Sequence, residues 1–393
     1  MSQFLARLLH RMTIQWSHTE IFIVLFLISI SVTGFTLFQE FGSYGSIIKD
    51  PIHYTPEILY NGCNVFNGRW VWDNLSRPLY EEWDCSYMHK FTACQSSGRP
   101  DSSFKYWRWQ PQNCSLPRFD ALKLAEALRG KRLVFVGDSV QRNQFDSMVC
   151  MVQAAIQEDK KSYLKVPPSL TIFEAEEFNA TIEFYWAPFL VTSTADDSDD
   201  HSGEVKLVML DSITKNAEET WKAADILVFN SHLWWSENPS LSCIYNGDKK
   251  VYSSVKAYEI ALKTWTNWVE KNINFDKQRV FFMSMSPTHW GPTALPGSLG
   301  NCFNETSPNF TSYWRKSINF LMMKIAGDIL NHLKGKVSVL AITQLSEYRI
   351  DAHTSYYGKY KGILQNVEIG GRSKKYGDCL HWCLPGVPDT WNE

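Results

Sequence analysis

Residue types suited to acyl transfer occur at two places far apart in the sequence. Gly137-Asp138-Ser139 directly follows the apolar run Leu133–Val136, which is too short for a helix and is typical of a buried strand. A serine at such a strand-to-helix turn projects its hydroxyl from the sheet edge, and the N–H groups of the helix face a developing oxyanion. Asp138 would brace the turn. The alternative is an ordinary turn, since a single GDS triplet is a weak signal.

The second place lies near the C-terminus, where Asp378 precedes His381 by three residues in DCLHWC. A nucleophilic serine needs a base, and the base needs a carboxylate to orient it. A DxxH pair is common by chance, but the flanking Cys379 and Cys383 favour a rigidly held loop. These residues could therefore supply a serine nucleophile, a histidine base and a carboxylate that orients the base.

Apolar runs predict the elements that must position these residues. Residues 120–130 and the segment after Ser139 have helical spacing, and Gly130 is placed to end the first helix. Strands are predicted at 133–136, 205–210, 224–230, 279–285 and 336–343, with helical stretches near 254–270 and 313–333. Such alternation predicts an α/β fold with an open parallel sheet flanked by helices. The site of such a sheet lies at the carboxyl ends of its strands.

Aromatic and histidine side chains outside the two motifs have two interpretations each. The 16 tryptophans are mostly expected in the core, with a subset suited to the apolar faces of sugar rings. His289, in SMSPTHW, follows a predicted strand end. It either contacts a sugar or is a structural histidine with satisfied hydrogen bonds, and the second is the more common case.

The N-terminal region predicts a membrane anchor. Residues 21–38 form 18 uncharged positions, which meets the lower limit for a membrane-spanning helix. The alternative, a cleaved signal peptide, is disfavoured by this length and by the lack of a clear A-x-A site. Arg7 and Arg11 precede the span while only Lys49 follows closely. The positive-inside rule therefore predicts a cytoplasmic tail at residues 1–20.

Sequons and cysteines beyond the span agree with a lumenal location. Residues 39–60 are predicted to form a stem, and N-glycosylation of the chain after it requires the lumen. The candidate glycosylation sites are Asn74, Asn113, Asn179, Asn304 and Asn309. All nine cysteines also follow the span, as expected in an oxidising compartment, and their odd number leaves at least one thiol unpaired. The four cysteines within 61–115 predict a small disulfide-rich module.

Composition and spacing exclude two classes of function. The net charge is −2, from 39 basic and 41 acidic side chains, without the basic excess or stripe that a nucleic-acid partner requires. The spacing in CLHWC is too tight for a zinc site, and its cysteines are better used in disulfides. We therefore expect no nucleic acid, no metal and no bound cofactor.

GDS followed by VQRNQ, together with the terminal DCLHWCLPGVPDTWNE, resembles the plant trichome birefringence-like family. The resemblance covers nearly the whole chain after the predicted anchor. It implies a Cys-rich N-terminal module at 61–115 and a PC-esterase domain at 116–393 that is similar to SGNH/GDSL hydrolases. It also implies single-pass type II Golgi enzymes that O-acetylate cell-wall polysaccharides, with xylan the commonest acceptor and mannan, xyloglucan or pectin the acceptors of other members.

The resemblance implies roles for single residues. The implied catalytic residues are Ser139 as nucleophile, His381 as base and Asp378 as its acid. Arg142, one helical turn after Ser139, would stabilise the oxyanion or bind substrate, or else form an ion pair on the helix surface. Gly137 and Asn230 take positions of the SGNH oxyanion site. The sequence FNSHLWW around Asn230 departs from many relatives, which leaves the acceptor open. The implied disulfides are Cys63–Cys114, Cys85–Cys150, Cys94–Cys383 and Cys302–Cys379, with Cys243 unpaired.

Two-step acetyl transfer, through an acyl-serine to a sugar hydroxyl, is the function that the resemblance implies. The same triad would serve a polysaccharide acetylesterase, in which water is the acceptor. A non-catalytic wall protein that binds or bridges pectin is a third hypothesis, which the presence of a triad disfavours. An acetyl donor is required, either acetyl-CoA or a lumenal acetyl carrier. The expected partners are therefore the polysaccharide and a donor transporter or carrier protein.

Overall fold

The computed structural model describes residues 59–60, 62–197, 207–289, 302–303, 305–310, 319–358, 365–369 and 372–393. The predicted cytoplasmic tail, the anchor and nearly all of the stem lie outside the described residues, as does Asn304. Among the helices that are described, none combines the length and the apolar character that crossing a membrane demands. The anchor at 21–38 therefore stays a prediction.

Short strands and helices make up the described chain. The strand at the end of the stem is β1 (Leu59–Tyr60), and those of the N-terminal module are β2 (Cys63–Asn64), β3 (Gly68–Trp72) and β4 (Trp107–Pro111). Strands of the central sheet are β5 (Arg132–Gly137), β6 (Lys161–Val166), β7 (Leu170–Ala175), β8 (Ala180–Trp186), β10 (Ile226–Phe229), β13 (Arg279–Met283) and β14 (Val337–Leu340). Smaller sheets contain β9 (Val208–Met209), β11 (Ser240–Tyr245), β12 (Asp248–Ser253), β15 (His353–Ser355), β16 (Gln365–Ile369), β17 (Arg372–Tyr376) and β18 (Asp378–Trp382). The α-helices are α1 (Ala121–Ala127), α2 (Ser139–Val152), α3 (Lys215–Lys222), α4 (Leu233–Ser236), α5 (Ser254–Asn272), α6 (Phe320–Asn331), α7 (Thr343–Glu347) and α8 (Val387–Asn392).

The central sheet has the strand order β14-β13-β10-β5-β8-β7-β6. Its first five strands are parallel, which confirms the predicted α/β class. The prediction of a wholly parallel sheet is wrong, because β8, β7 and β6 pair antiparallel. Only short segments join these three strands, and such short links permit hairpins but not parallel crossovers.

The predicted strand at 205–210 is also wrong as a member of the central sheet. Its described part forms only β9, which pairs with β11 in a separate three-stranded sheet. Val208 and Leu210 are fully buried. An apolar run indicates that a strand is buried, but burial alone does not identify the strand with which it pairs.

Alternation along β5 places helices on both faces of the sheet. Val134 and Val136 join a core cluster that contains Trp265 of α5, while Phe135 joins a second cluster with Phe145 of α2. Strands covered on both faces read as continuous apolar runs, as 133–136 does. β5 thus lies between two helical layers, and the C-terminal end of β5 leads into α2.

The N-terminal module and residues 116–393 are one compact unit. The indole Nε1 of Trp70 donates to the carbonyl of Leu345 at 2.7 Å. The Arg99 guanidinium donates to the carbonyls of Asp351 and His353 at 2.6 and 3.0 Å. The bond to the His353 carbonyl reaches β15, which pairs with β18, so the module supports the segment that contains Asp378 and the base.

All four disulfides implied by the resemblance are present, which confirms that pairing. The bonds are Cys63–Cys114, Cys85–Cys150, Cys94–Cys383 and Cys302–Cys379. Two of them hold β18 at its beginning and just after its end. Cys243 is a buried thiol outside these pairs, and burial raises its pKa to about 11. It therefore stays protonated and unreactive at neutral pH.

Candidate active site

The turn from β5 into α2 exposes Ser139 at the first position of the helix. Asp138 is the N-cap, and its Oδ1 accepts from the N–H groups of Val140 at 2.9 Å and Gln141 at 3.4 Å, as helix starts require. A Cβ on Gly137 would lie 2.7 Å from the carbonyl oxygen of Asn230 and 2.8 Å from the Gln141 Cβ. Only glycine fits there, so both residues before the serine are explained by local packing and capping.

Ser139, His381 and Asp378 form a continuous hydrogen-bonded chain. His381 Nε2 lies 2.7 Å from Ser139 Oγ, and His381 Nδ1 lies 2.7 Å from Asp378 Oδ2. Because a carboxylate only accepts, Nδ1 carries the hydrogen and Nε2 presents its lone pair to the serine. The other carboxylate oxygen, Oδ1, accepts from the N–H groups of Leu380 and His381 at 3.0 Å each. The geometry is that of an activated serine nucleophile.

The triad remains accessible to a substrate. The side chain of His381 is 25% exposed and that of Asp378 is 16% exposed. Ser139 is half-buried. A base whose Nδ1 is held by a carboxylate and whose Nε2 faces the accessible serine can take a proton from that serine and give it to a leaving group.

Asn143 joins α2, the helix that begins at Ser139, to β18, the strand that contains His381. This role was not predicted from the sequence. Its Nδ2 donates to the carbonyl of Trp382 at 3.1 Å, and its Oδ1 accepts from the Trp382 N–H at 3.3 Å. Asn143 lies one helical turn after Ser139, so both project from the same face of α2. The Trp382 indole in turn donates to Ser286 Oγ at 3.0 Å. The VQRNQ segment contains this asparagine, but its partner is 239 residues away.

Opposing effects determine the protonation of the triad. Burial lowers the pKa of His381, but the carboxylates of Asp378, Asp138 and Glu237 together outweigh it, and the net shift is upward from 6.5. Burial raises the pKa of Asp378, yet the positive charge of His381 and the backbone N–H bonds lower it to about 2. Burial raises the pKa of Asp138 to about 6 despite its two capping bonds. His381 is therefore more basic than an ordinary histidine, and it lies beside an orienting carboxylate that stays ionised.

The raised pKa of His381 leads to a pH prediction. A protonated His381 cannot accept the serine proton, so we expect acyl transfer to fall as the pH is lowered. The half-maximal point of this acid limb should lie above the ordinary histidine value of 6.5. Asp378 adds no limb in this range, because its pKa is about 2. A profile of kcat/KM against pH measures this, and an acid limb centred below 6.5 would contradict it.

Arg142 and Asn230 occupy different surroundings. The Arg142 guanidinium donates to Tyr163 Oη at 3.1 Å and lies 3.7 Å from the buried carboxyl of Asp146, whose pKa burial raises to about 7. The oxyanion or substrate role of Arg142 stays a prediction. Asn230 follows β10, beside Gly137, and its Nδ2 donates to the carbonyl of Met283 at 3.3 Å. Its oxyanion role stays a prediction.

The sequence after Asn230 forms the short helix α4. Ser231 Oγ donates to the carbonyl of Pro188 and accepts from the Trp235 indole, both at 2.9 Å. His232 Nε2 lies 2.9 Å from Ser236 Oγ, and burial lowers the pKa of His232 to about 3. This histidine is therefore neutral at physiological pH. FNSHLWW is thus a packed, uncharged and mostly buried segment that contains the predicted oxyanion residue Asn230.

His289 is a fully buried residue. Its ring nitrogens approach His353 and Glu347, which confirms the structural interpretation over the sugar contact. Across the described ranges, no group of three or more His, Cys, Asp or Glu side chains is arranged to hold a metal ion.

Comparison with family models places the whole described unit in known families. Residues 116–393 match the PC-esterase model, described as the GDSL/SGNH-like acyl-esterase family found in Pmr5 and Cas1p. Residues 61–115 match the PMR5 N-terminal domain. The two matches adjoin at the end of the disulfide-rich module.

Curated relatives include proteins from two plants. "Protein trichome birefringence-like 31" of Arabidopsis thaliana is 51% identical over 355 residues, covering 89% of this chain and 86% of the relative. "Probable xylan O-acetyltransferase 10" of Oryza sativa subsp. japonica is 44% identical over 344 residues, covering 84% and 76%. "Xylan O-acetyltransferase 3" of the same species is 41% identical over 340 residues, covering 84% and 74%. The chain therefore belongs to the GDSL/SGNH-like acyl-esterase family found in Pmr5 and Cas1p, among the trichome birefringence-like proteins.

Proposed function

We propose that this protein is a polysaccharide O-acetyltransferase that acts through Ser139, with xylan as its acceptor. The observation that carries the proposal is the chain of two 2.7 Å contacts joining Ser139, His381 and Asp378. Such an arrangement activates a serine for covalent acyl transfer. Similarity to relatives named xylan O-acetyltransferases supports transfer over hydrolysis and xylan over other polymers.

The first half of the proposed reaction forms an acyl-enzyme. Ser139 Oγ attacks the carbonyl carbon of the acetyl donor while its proton passes to His381 Nε2. The developing oxyanion faces the Ser139 N–H, since the N–H groups of Val140 and Gln141 are bonded to Asp138. We assign the second donor to the Asn230 amide. Collapse of the intermediate breaks the bond to the leaving group, which takes the proton from His381.

The second half transfers the acetyl group to the sugar. A xylosyl hydroxyl gives its proton to His381 Nε2, and its oxygen attacks the acetyl carbon. The bond to Ser139 Oγ then breaks, and the proton on His381 returns to the serine. Asp378 stabilises the imidazolium in both halves and stays ionised, because its pKa is about 2. In an acetylesterase, the alternative function, water would take the place of the sugar hydroxyl.

Product analysis tests this function directly. The purified lumenal part is incubated with labelled acetyl donor and one acceptor at a time. The acceptors are deacetylated oligosaccharides of xylan, mannan, xyloglucan and pectin. We expect label on xylosyl residues, and acetyl-CoA and a lumenal carrier extract are compared as donors. Label found only as free acetate would support the esterase. Transfer to another polymer alone would contradict the proposed acceptor.

We further propose a type II membrane protein with its active site in the Golgi lumen. Of the sequons within the described residues, Asn74, Asn113 and Asn179 are exposed and Asn309 is half-buried. Exposed sequons and four disulfides suit a secretory compartment. Endoglycosidase treatment should increase gel mobility; unchanged mobility, with protease digestion of the domain in intact vesicles, would contradict this orientation.

A further inference from the structure

A buried pair of histidines lies behind the strand that contains the base. His289 follows β13 and His353 begins β15, and their side chains are 0% and 1% exposed. Nδ1 of His289 and Nε2 of His353 are 2.5 Å apart. At the outer ends, His353 Nδ1 lies 3.0 Å from the carbonyl oxygen of His381, and His289 Nε2 lies 3.2 Å from that of Glu347. A continuous polar chain therefore runs from Glu347 to the main chain of the catalytic base.

The number of hydrogens that these hydrogen-bonding contacts require gives the charge of the histidine pair. Both outer nitrogens face carbonyl oxygens, which only accept, so each outer nitrogen carries a hydrogen. The inner contact needs one further hydrogen, because two facing lone pairs would repel at this distance. Two neutral imidazoles hold two ring hydrogens and this pair needs three, so His289 and His353 together carry one positive charge.

Glu347 supplies the counter-charge. Its carboxylate oxygen Oε2 lies 3.7 Å from His289 Nε2, and its side chain is 9% exposed. A buried charge needs an opposite charge and hydrogen bonds. The two rings have hydrogen-bonding contacts at both outer nitrogens and between them, and the Glu347 carboxylate is the opposite charge at ion-pair distance. Among the described residues, the other charged groups nearby are Arg99 on the His353 carbonyl, Asp101 paired with Arg99, the Arg349–Asp351 ion pair, and Asp378 with His381 on β18.

The pair holds β18 at two points. The His289 main-chain N–H donates to the carbonyl of Cys379 at 2.9 Å, and the His353 ring donates to the carbonyl of His381 at 3.0 Å. The His353 ring also stacks on Trp382, with 3.9 Å between ring centroids. These bonds fix the peptide group between Cys379 and Leu380 and the peptide group between His381 and Trp382. A base must be held to within a fraction of an ångström for efficient transfer.

We propose that His289 and His353 are a proton-sharing pair, balanced by Glu347, that positions His381 in the active site. Both are positioning residues, because they act through the main chain of β18. At high pH the shared proton is lost, one hydrogen bond of the chain breaks, and the hold on His381 weakens. Only the activity readouts of this proposal rest on the proposed acetyl transfer.

Variants of the pair and of its counter-charge test the proposal. His353→Ala should lower kcat by roughly 10–100-fold with little change in the KM of the acceptor, since the base is displaced while the surface is kept. His353→Gln should recover part of the loss, because an amide can donate to the His381 carbonyl. Glu347→Gln should move the alkaline decline of activity to lower pH. The control is His332→Gln, an exposed histidine bonded to a carbonyl on α6.

Two readouts do not depend on acetyl transfer. Proton NMR of the wild type and of Ser139→Ala should show a far-downfield exchangeable resonance from the short N–H···N contact, absent in His353→Gln. The rate at which a fluorophosphonate labels Ser139 should show the same alkaline shift in Glu347→Gln. If these hold but no polysaccharide is acetylated, the proposed function fails and the pair stands. Absence of the resonance in the wild type, with an unmoved alkaline limb in Glu347→Gln, overturns the pair.

Discussion

Ser139→Ala is expected to lower acetyl transfer on the order of 10⁴-fold or more, with the fold retained. The Oγ atom is the only part of the side chain that bonds His381, and its removal leaves no group to carry the acyl intermediate. Members of a triad act as a unit, so a variant lacking all three side chains should be little worse than Ser139→Ala. Initial rates of transfer and thermal unfolding of the same preparations measure both effects.

A matched control for this substitution is Ser162→Ala. Ser162 is an exposed serine on the edge strand β6 that bonds Glu174 at 3.0 Å, and its substitution should leave transfer unchanged. Wild-type rates in Ser139→Ala would eliminate the covalent mechanism and favour a binding protein. Loss of activity together with a lowered unfolding temperature would instead indicate damage to the turn.

Asp378→Asn is expected to lower transfer on the order of 10⁴-fold. The amide that replaces the carboxylate can donate a hydrogen to His381 Nδ1, which would leave the ring in the tautomer that cannot accept the serine proton. The pKa of His381 should also fall, because burial lowers it and Asp378 comes first, ahead of Asp138 and Glu237, among the carboxylates that raise it. The residual activity should therefore persist to lower pH than that of the wild type.

The control is Asp276→Asn, an exposed aspartate in the turn before β13. We expect wild-type rates and an unchanged acid limb in this variant. Residual activity of Asp378→Asn with the wild-type acid limb would show that the carboxylate does not set the pKa of the base. A rate within tenfold of wild type would contradict its orienting role.

Features encoded by local pattern were predictable from the sequence. The apolar run before Gly137 and the helical spacing after it correspond to β5 and α2, and the helix predicted near 254–270 is α5. A strand followed by a helix at a glycine turn is a local pattern, and the serine's exposure follows from it. The pairing of cysteines was implied by family resemblance, since eight cysteines allow 105 connectivities.

Features that depend on distant partners were not predictable. Asn143 and Trp382 are 239 residues apart, and nothing in their local sequence indicates that they bond. The same holds for His289 and His353, which are 64 residues apart. Arg142 was assigned by its place after the serine, but its orientation depends on Tyr163 and Asp146. The antiparallel pairing of β6 and β7 was not predicted, because no strand was predicted in the segment that contains them.

Detection of the acyl-enzyme tests the central claim most directly. The protein is mixed with isotopically labelled acetyl donor without acceptor, quenched in acid and digested, and the peptides are analysed by mass spectrometry. The expected result is one labelled acetyl group on Ser139, which disappears when deacetylated xylan oligosaccharide is added before the quench and which accumulates on the oligosaccharide. Label that reaches the oligosaccharide from both wild type and Ser139→Ala, with none found on Ser139, would contradict the account.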